Sequence, residues 1–351
     1  MSRTTAYISF IWISLALLGC GPKNTEEPGA GGGFKNTLFF STGNGVFGID
    51  DRNYGMRFSF TFPYEMYYGT THSDNEIFLI GYERQGTKKQ SWLVQVDARG
   101  EITRKIEAPP NASTVKSNEK YIIVDSALYD PNGYTSLYVY SIQKMKLIKT
   151  ISHITNWITN EGTGVHQGKF LLGVAPNPRL HRSGCFLTSD DDNNFVPHYF
   201  EKMNNTFDEY YTSFISGDNL LIVTMETHTL MMYSLGKHEL TSVIDLQEAA
   251  KRLPLRNGNL SWSYQIKVDD DQAAIFIKDL SFEDAYQGIF TFPLHDPDSI
   301  TYVDLPMKEL SNYDLKYFHN GKAFLQFQNE VLLVDVKTGG LTKHLNLSTL
   351  R

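Results

Sequence analysis

The sequence predicts an all-β protein, a β-propeller with seven blades of four-stranded antiparallel meanders and an incomplete first repeat. Two independent marks and the strands between them predict it. The first mark is a polar turn before an apolar run: Ser73-Asp74-Asn75-Glu76, Ser117-Asn118-Glu119-Lys120, His166-Gln167-Gly168-Lys169, Ser216-Gly217-Asp218-Asn219, Asp269-Asp270-Asp271-Gln272 and His319-Asn320-Gly321-Lys322. Their last residues lie 44, 49, 50, 53 and 50 positions apart. The second mark ends the third strand of each unit, at Asp50, Asp97, Ser141, Ser189, Ser234, Pro293 and Asp335, with spacings of 47, 44, 48, 45, 59 and 42. Between the marks run β-branched and aromatic stretches such as Tyr121-Ile122-Ile123-Val124 and Leu220-Leu221-Ile222-Val223. Short apolar runs bounded by Asn, Asp, Ser and Gly read as hairpin strands. A period of about 40–50 residues with four strands per unit reads as a propeller blade.

A lone four-stranded meander buries too little surface to stand by itself, so each must pack on its neighbours. Closing the series into a ring also removes long exposed sheet edges. The first repeat offers three strands, Thr37 to Ser41, Val46 to Asp50 and Met56 to Phe60, and no evident innermost one. Six full blades plus an odd hairpin is the alternative count.

In chain order, Met1 to Cys20 predicts a secretory segment: Arg3 supplies the positive start, and Ile8 to Leu18 is an apolar core too short to span a bilayer comfortably. Its end, Leu17-Leu18-Gly19-Cys20, resembles the lipobox of bacterial lipoproteins. That resemblance implies removal of residues 1–19, lipidation of Cys20 and anchorage at a membrane surface; the bland alternative is an ordinary signal peptide with a chance cysteine. Residues 20–36 read as a tether, since the Gly, Pro, Asn and Glu of this stretch bury nothing. Residues 37–351 read as one propeller domain with no dividing linker. One helix is expected, Leu246 to Leu253, in the longest connection between blades.

The net charge of −7 becomes −8 once Arg3 is removed, which argues against nucleic acid and against electrostatic adhesion to anionic lipid. Of the two cysteines, Cys185 sits alone in an apolar strand, so no disulfide framework supports the fold. The 20 Tyr and 22 Phe supply the core instead.

With strands lettered A to D outward from the axis, the long B–C loops share a face with the D–A connections. Tyr64, Arg84, Tyr134, Trp157, Arg179, His181, Arg182, Tyr211, Trp262 and Tyr286 all map there. Tyr, Trp and Arg are enriched at binding hot spots, and rigid scaffolds carry function on such loops. The expectation is a partner-binding face, with Arg179, His181 and Arg182 meeting an anion and Trp157 and Trp262 stacking on a sugar or an apolar group. For any single aromatic, sealing the mouth of the ring is the competing role.

No metal and no cofactor are expected. His72, His166 and His319 end inner strands of well-separated blades, and no ligand spacing fixes a site. The runs Asp190-Asp191-Asp192 and Asp269-Asp270-Asp271 lack the alternating ligand pattern of a calcium loop and suit turn geometry. Catalysis is unsupported by motif: the inner strands offer Glu161, with Glu65 just outside and Lys116 and Lys267 elsewhere, and no recognisable carboxylate pair. The alternative function is a polysaccharide-acting hydrolase or lyase using the axial pocket. Asp125-Ser126-Ala127 and Asp298-Ser299-Ile300 resemble short O-glycosylation acceptors of some gut-type anaerobes.

Lipobox and degenerate propeller together resemble the β-propeller lipoproteins of Bacteroidota-like bacteria. The chain departs from WD40 repeats, lacking a repeated Trp-Asp ending to strand C, and from quinoproteins. The resemblance implies a binding or assembly module at the cell envelope, without nucleic acid, its partner an envelope protein or glycan. Gly21 after the cysteine leans towards the outer membrane, on its periplasmic or its surface face.

Overall fold

The B strands carry consecutive apolar residues, as in Ile77-Phe78-Leu79-Ile80 and Leu220-Leu221-Ile222-Val223, rather than apolar residues at alternate positions only, which means that both faces must be covered there. The computed structural model shows how. It describes residues 34–86, 88–126, 134–155, 164–174, 185–198, 211–225, 227–249, 262–279, 287–305 and 312–349.

Seven antiparallel sheets follow one another, each built from consecutive strands. Blade 1 comprises β1 (Thr37–Thr42), β2 (Gly45–Asp50) and β3 (Met56–Thr61). Blade 2 comprises β4 (Glu65–Ser73), β5 (Glu76–Gln85), β6 (Lys88–Asp97) and β7 (Ile102–Glu107). Blade 3 comprises β8 (Ala112–Ser117), β9 (Tyr121–Ser126), β10 (Tyr134–Ser141) and β11 (Lys146–Thr155). Blade 4 comprises β12 (Gly164–His166), β13 (Lys169–Val174), β14 (Cys185–Ser189) and β15 (Phe195–His198). Blade 5 comprises β16 (Tyr211–Ser216), β17 (Asn219–Thr224), β18 (Thr229–Ser234) and β19 (Glu239–Asp245). Blade 6 comprises β20 (Trp262–Asp269), β21 (Gln272–Asp279), β22 (Gln287–Pro293) and β23 (Thr301–Asp304). Blade 7 comprises β24 (Asp314–His319), β25 (Lys322–Phe327), β26 (Glu330–Asp335) and β27 (Leu341–Asn346). The chain is therefore a seven-bladed propeller, and among the described residues its first blade has three strands. All seven predicted third-strand endings coincide with the ends of β2, β6, β10, β14, β18, β22 and β26.

Seven buried clusters occupy the seven junctions, and the period of two deals side chains alternately to the two neighbours. In β17, Leu220 and Ile222 pack towards blade 4 with Phe186, while Leu221 and Val223 pack towards blade 6 with Ile275. In β5, Ile77 and Leu79 join Phe58 and Phe60 of blade 1, while Phe78 and Ile80 join Val115 and Ile122 of blade 3. The seventh cluster joins Phe40 and Ile49 of blade 1 to Phe324, Val331 and Leu333 of blade 7 and closes the ring.

Among the described residues, the position of blade 1 without a strand is the innermost. Phe34, just before β1, donates its amide to the carbonyl of Asp74 in the β4–β5 turn. β1 therefore starts on the A–B side and runs as a B strand does. Its free inner edge is taken by blade 7. The Tyr317 hydroxyl accepts from the Phe39 amide (3.0 Å) and donates to the Phe39 carbonyl (2.8 Å), and the Gln326 amide donates to the Ser41 carbonyl (3.0 Å). A register shift between Leu315 and Tyr317 in β24 turns the tyrosine towards this edge. Burial pushes its hydroxyl up to about 12.

The second periodic mark has a local cause. Oδ1 of Asp50 accepts the amides of Arg52 and Asn53, and Oδ1 of Asp97 those of Arg99 and Glu101. Oδ1 of Asp335 accepts those of Lys337 and Thr338, while the Ser141 and Ser234 hydroxyls accept from Lys144 and Lys237. Each side chain closes the C–D turn that its strand enters. In blade 4 the neighbouring Asp190 does so, accepting from Asp192 and Asn194. The helix α1 (Leu246–Ala249) is capped at Asp245 and buries Leu246. Positions 250–253 of the predicted helix lie outside the described residues.

These caps set a pH dependence. Asn53 N–H holds Asp50 below the ordinary value of 3.8, and the Asn194 side chain and amide do the same for Asp190. Burial works against Asp335, but its bonds from Thr338 and Lys337 outweigh it and the net shift is downward. Such groups stabilise the fold above the unfolded value and cease to do so as pH falls through the folded one. Asp125 has the opposite sign, since burial raises it above 3.8 against hydrogen bonds from Ser113 and Thr114. Burial works against Asp314 too, but Lys316 and Lys278 outweigh it; with four groups against one, the denaturant midpoint is expected to drop between about pH 5 and about pH 3. Asp335→Asn, which keeps the acceptor without the titration, should show a shallower drop. A midpoint that is flat across this range contradicts the assignment.

Candidate functional site

The two faces of the ring differ in construction. On the A–B face, successive turns bond to one another. The Asn118 side chain donates to the Gly168 carbonyl (2.8 Å), and His166 Nδ1 meets the Gly217 carbonyl at 3.0 Å, with Nε2 3.6 Å from Asp218. His319 Nδ1 lies 2.9 Å from Asp269, whose other oxygen accepts the Asn320 amide. His166 and His319 thus join neighbouring blades. Of His72 the structure describes the backbone, at the end of β4. Among the described residues no group of three His, Cys, Asp or Glu side chains could hold a metal ion.

The opposite face carries the B–C and D–A connections. Trp157, Arg179, His181, Arg182 and Tyr286 lie outside the described residues, as does Cys20. Tyr134 opens β10 opposite Thr155, and Trp262 opens β20 opposite Asp279, which places both backbones on this face.

Tyr64 and Arg84 lie at blade 2 on opposite sides of its sheet, Tyr64 with Trp92 towards blade 1 and Arg84, two positions on from Tyr82, on the side towards blade 3. The B–C connection of blade 2 is, among its described residues, a projecting β-ribbon. β5 and β6 pair from Glu76↔Asp97 out to Gln85↔Lys88, beyond the points where β4 and β7 last flank them, Glu65↔Tyr82 and Trp92↔Glu107. Gly86 turns the ribbon at a φ of 65°, where a side chain would be strained. At its base the Trp92 indole donates to Glu83 (3.0 Å), and Lys105 lies 3.7 Å from the same carboxylate. The Lys105 ammonium also sits 3.8 Å from the Trp92 ring centre and 4.5 Å from that of Tyr64. Lys89 lies 3.5 Å over Tyr82, and Arg84 is 3.5 Å from Glu65. The rings are fixed by burial and the cations by the rings, so the patch is preorganised. Sequence reasoning missed Trp92 and Lys105, because strand position alone gives no sign that a D-strand lysine crosses to a C-strand indole.

Tyr211 has a different role from the expected one. Its ring is buried against Phe186 and its hydroxyl donates to the Val174 carbonyl (2.9 Å), fastening blade 5 to blade 4. Tyr82 makes the same kind of link to the Ala112 carbonyl, and Tyr264 to His228. Asp125 is likewise structural. Its Oδ1 takes the Ser113 hydroxyl and the Thr114 amide, both at 2.6 Å, where the ladder between β8 and β9 is interrupted. Beside it Ser126 is buried and donates to the Pro110 carbonyl, so this resemblance to a glycosylation acceptor does not yield an accessible hydroxyl.

Fold and patch together define a β-propeller with a rigid aromatic and charged surface on its loop-rich face. No family model matches the chain, and no curated protein does. Solved β-propeller structures do. Hsv2p of Kluyveromyces lactis is 10% identical, with 89% of this chain and 96% of that one covered at a TM-score of 0.57. The propeller domain of the Trilobed protease from Pyrococcus furiosus, described as an open velcro topology, is 10% identical over 89% and 98% at 0.50. The dihydro-heme d1 dehydrogenase NirN is 13% identical over 92% of this chain at 0.52, and this chain spans 66% of its length. At such identities the likeness is one of fold.

A double-mutant cycle tests the patch. Lys105→Met and Trp92→Leu are expected to couple by about 0.5–1 kcal/mol in unfolding free energy. Strict additivity would show that the stacked geometry contributes nothing.

Proposed function

We propose that this protein is a lipid-anchored propeller of the cell envelope that binds a protein partner through its loop-rich face. The blade-2 patch carries the reading. Arg84 projects on the ribbon beside Lys89, and Trp92 lies part-buried at its base under Lys105; Trp and Arg are residue types that dominate interface energetics. The opposite face is closed by turn-to-turn bonds and offers no comparable projection among the described residues.

The anchor rests on the first twenty residues: Leu17-Leu18-Gly19-Cys20 at the end of an apolar core, followed by a Gly- and Pro-rich stretch. Lipid on Cys20 would hold the ring at a membrane surface, and Gly21 favours the outer membrane. The described residues contain no helix long and apolar enough to cross a membrane.

Photo-crosslinkers placed in cells at Arg84, Lys89 and Lys337 test the reading. The same protein is expected from Arg84 and Lys89 and not from Lys337, which lies in the β26–β27 turn on the other face. Identical adducts from all three positions would contradict it. Cys20→Ala is expected to release the protein from the membrane fraction, and full retention would remove the anchor.

A further inference from the structure

We infer that the A–B face of the ring looks towards the bilayer and that the blade-2 ribbon points away from it, so the partner is met on the membrane-distal side. The inference rests on the lipid anchor proposed above and adds an orientation to it.

The observation is where the chain enters the fold. Phe34 is 4% exposed, and its ring packs on Phe39 (5.1 Å between centres) and Phe58 (5.5 Å). Its amide is bound by the Asp74 carbonyl, on the A–B face. The next residues are fastened as well. Arg57 donates to the Lys35 carbonyl and to the Thr37 hydroxyl (2.8 Å), and the Asp51 amide donates to the Asn36 carbonyl (3.1 Å). Position 34 is thus a fixed attachment point, and the covalent path to Cys20 cannot lengthen by peeling β1.

That path is 14 residues, from position 34 back to position 20. Its covalent reach is at most about 50 Å. To bring the loop-rich face to the membrane it would have to run the depth of the blade. β5 alone has ten residues, about 33 Å at the usual rise per residue, and the outward distance from the ring's inner part to its rim comes on top. That path takes up most of the covalent reach, whereas the face on which position 34 lies takes up little of it. The A–B and C–D turns on that face carry exposed charges of both signs, Asp74, Asp191, Asp192 and Asp270 with Lys120, Lys144, Lys169 and Lys337. With the signs mixed, the orientation follows from the attachment point and not from charge.

The test uses the lipidated full chain in neutral phosphatidylcholine vesicles. In a Cys185→Ser background, Lys89→Cys on the ribbon or Lys337→Cys on the opposite face carries a donor dye, and the acceptor sits on the lipid headgroups. Energy transfer is expected to be several-fold stronger from position 337 than from position 89. Equal or reversed transfer from protein that floats with the vesicles overturns the orientation and leaves the anchor standing. Protein that does not float, or a Cys20→Ala form that floats equally well, overturns the anchor and the orientation with it.

Discussion

A sheet that is apolar on both faces cannot rest against a single neighbour, and every blade here is such a sheet. Each B strand sends alternate side chains into two different clusters, as Phe324 of β25 packs with Phe40 of blade 1 while Ala323 and Leu325 pack with Ile289 of blade 6. A linear stack would leave two terminal sheets with one face in water. The chain avoids this by bringing its last blade to its first. At about 25 cal/mol per Å² of apolar surface, covering those two faces is the dominant gain from closure.

Among the described residues blade 1 has no inner strand, and side chains of blade 7 meet its inner edge instead. Tyr317 offers a single hydroxyl that both donates and accepts, so it satisfies both groups of Phe39 that a neighbouring strand would have paired. Gln326 takes the next carbonyl along, and Lys343 donates to the Tyr54 carbonyl at the outer rim. Rings support these bonds, with Phe40 against Tyr317 and Tyr54 against Phe324. The same device recurs with less at stake at other junctions, through Tyr82 and Tyr211. The rigid ring in turn fixes the blade-2 ribbon and the attachment point at Phe34 on opposite faces.

The blades were legible in the sequence because their marks are local. An Asp or Ser at the end of strand C bonds amides two to four positions on, so its chemistry shows in any single sequence. The runs between the marks were legible for a related reason, two-sided burial producing unbroken apolar stretches. What connects blades was hidden. Tyr317 and Phe39 lie 278 positions apart, and nothing near Tyr317 distinguishes it from the other aromatics of inner strands. Tyr211 was read as a surface residue because position in a D–A connection suggests exposure, whereas its ring turns inward to the junction. Of the candidate surface residues, Tyr64 and Arg84 lie on opposite sides of blade 2. Trp92 and Lys105 carry no local sign of their contact, because it joins two paired strands.

Hydrogen exchange across the closing junction tests this account most directly. Phe39 should be protected by the hydroxyl of Tyr317 and by the packing that hydroxyl anchors. In a Tyr317→Phe, Gln326→Leu double variant, peptides from β1 and from β25 and β26 are expected to exchange markedly faster, with those of blades 3 to 5 unchanged. Exchange in β1 as slow as in the parent protein would show that the ring is closed by something other than these side chains.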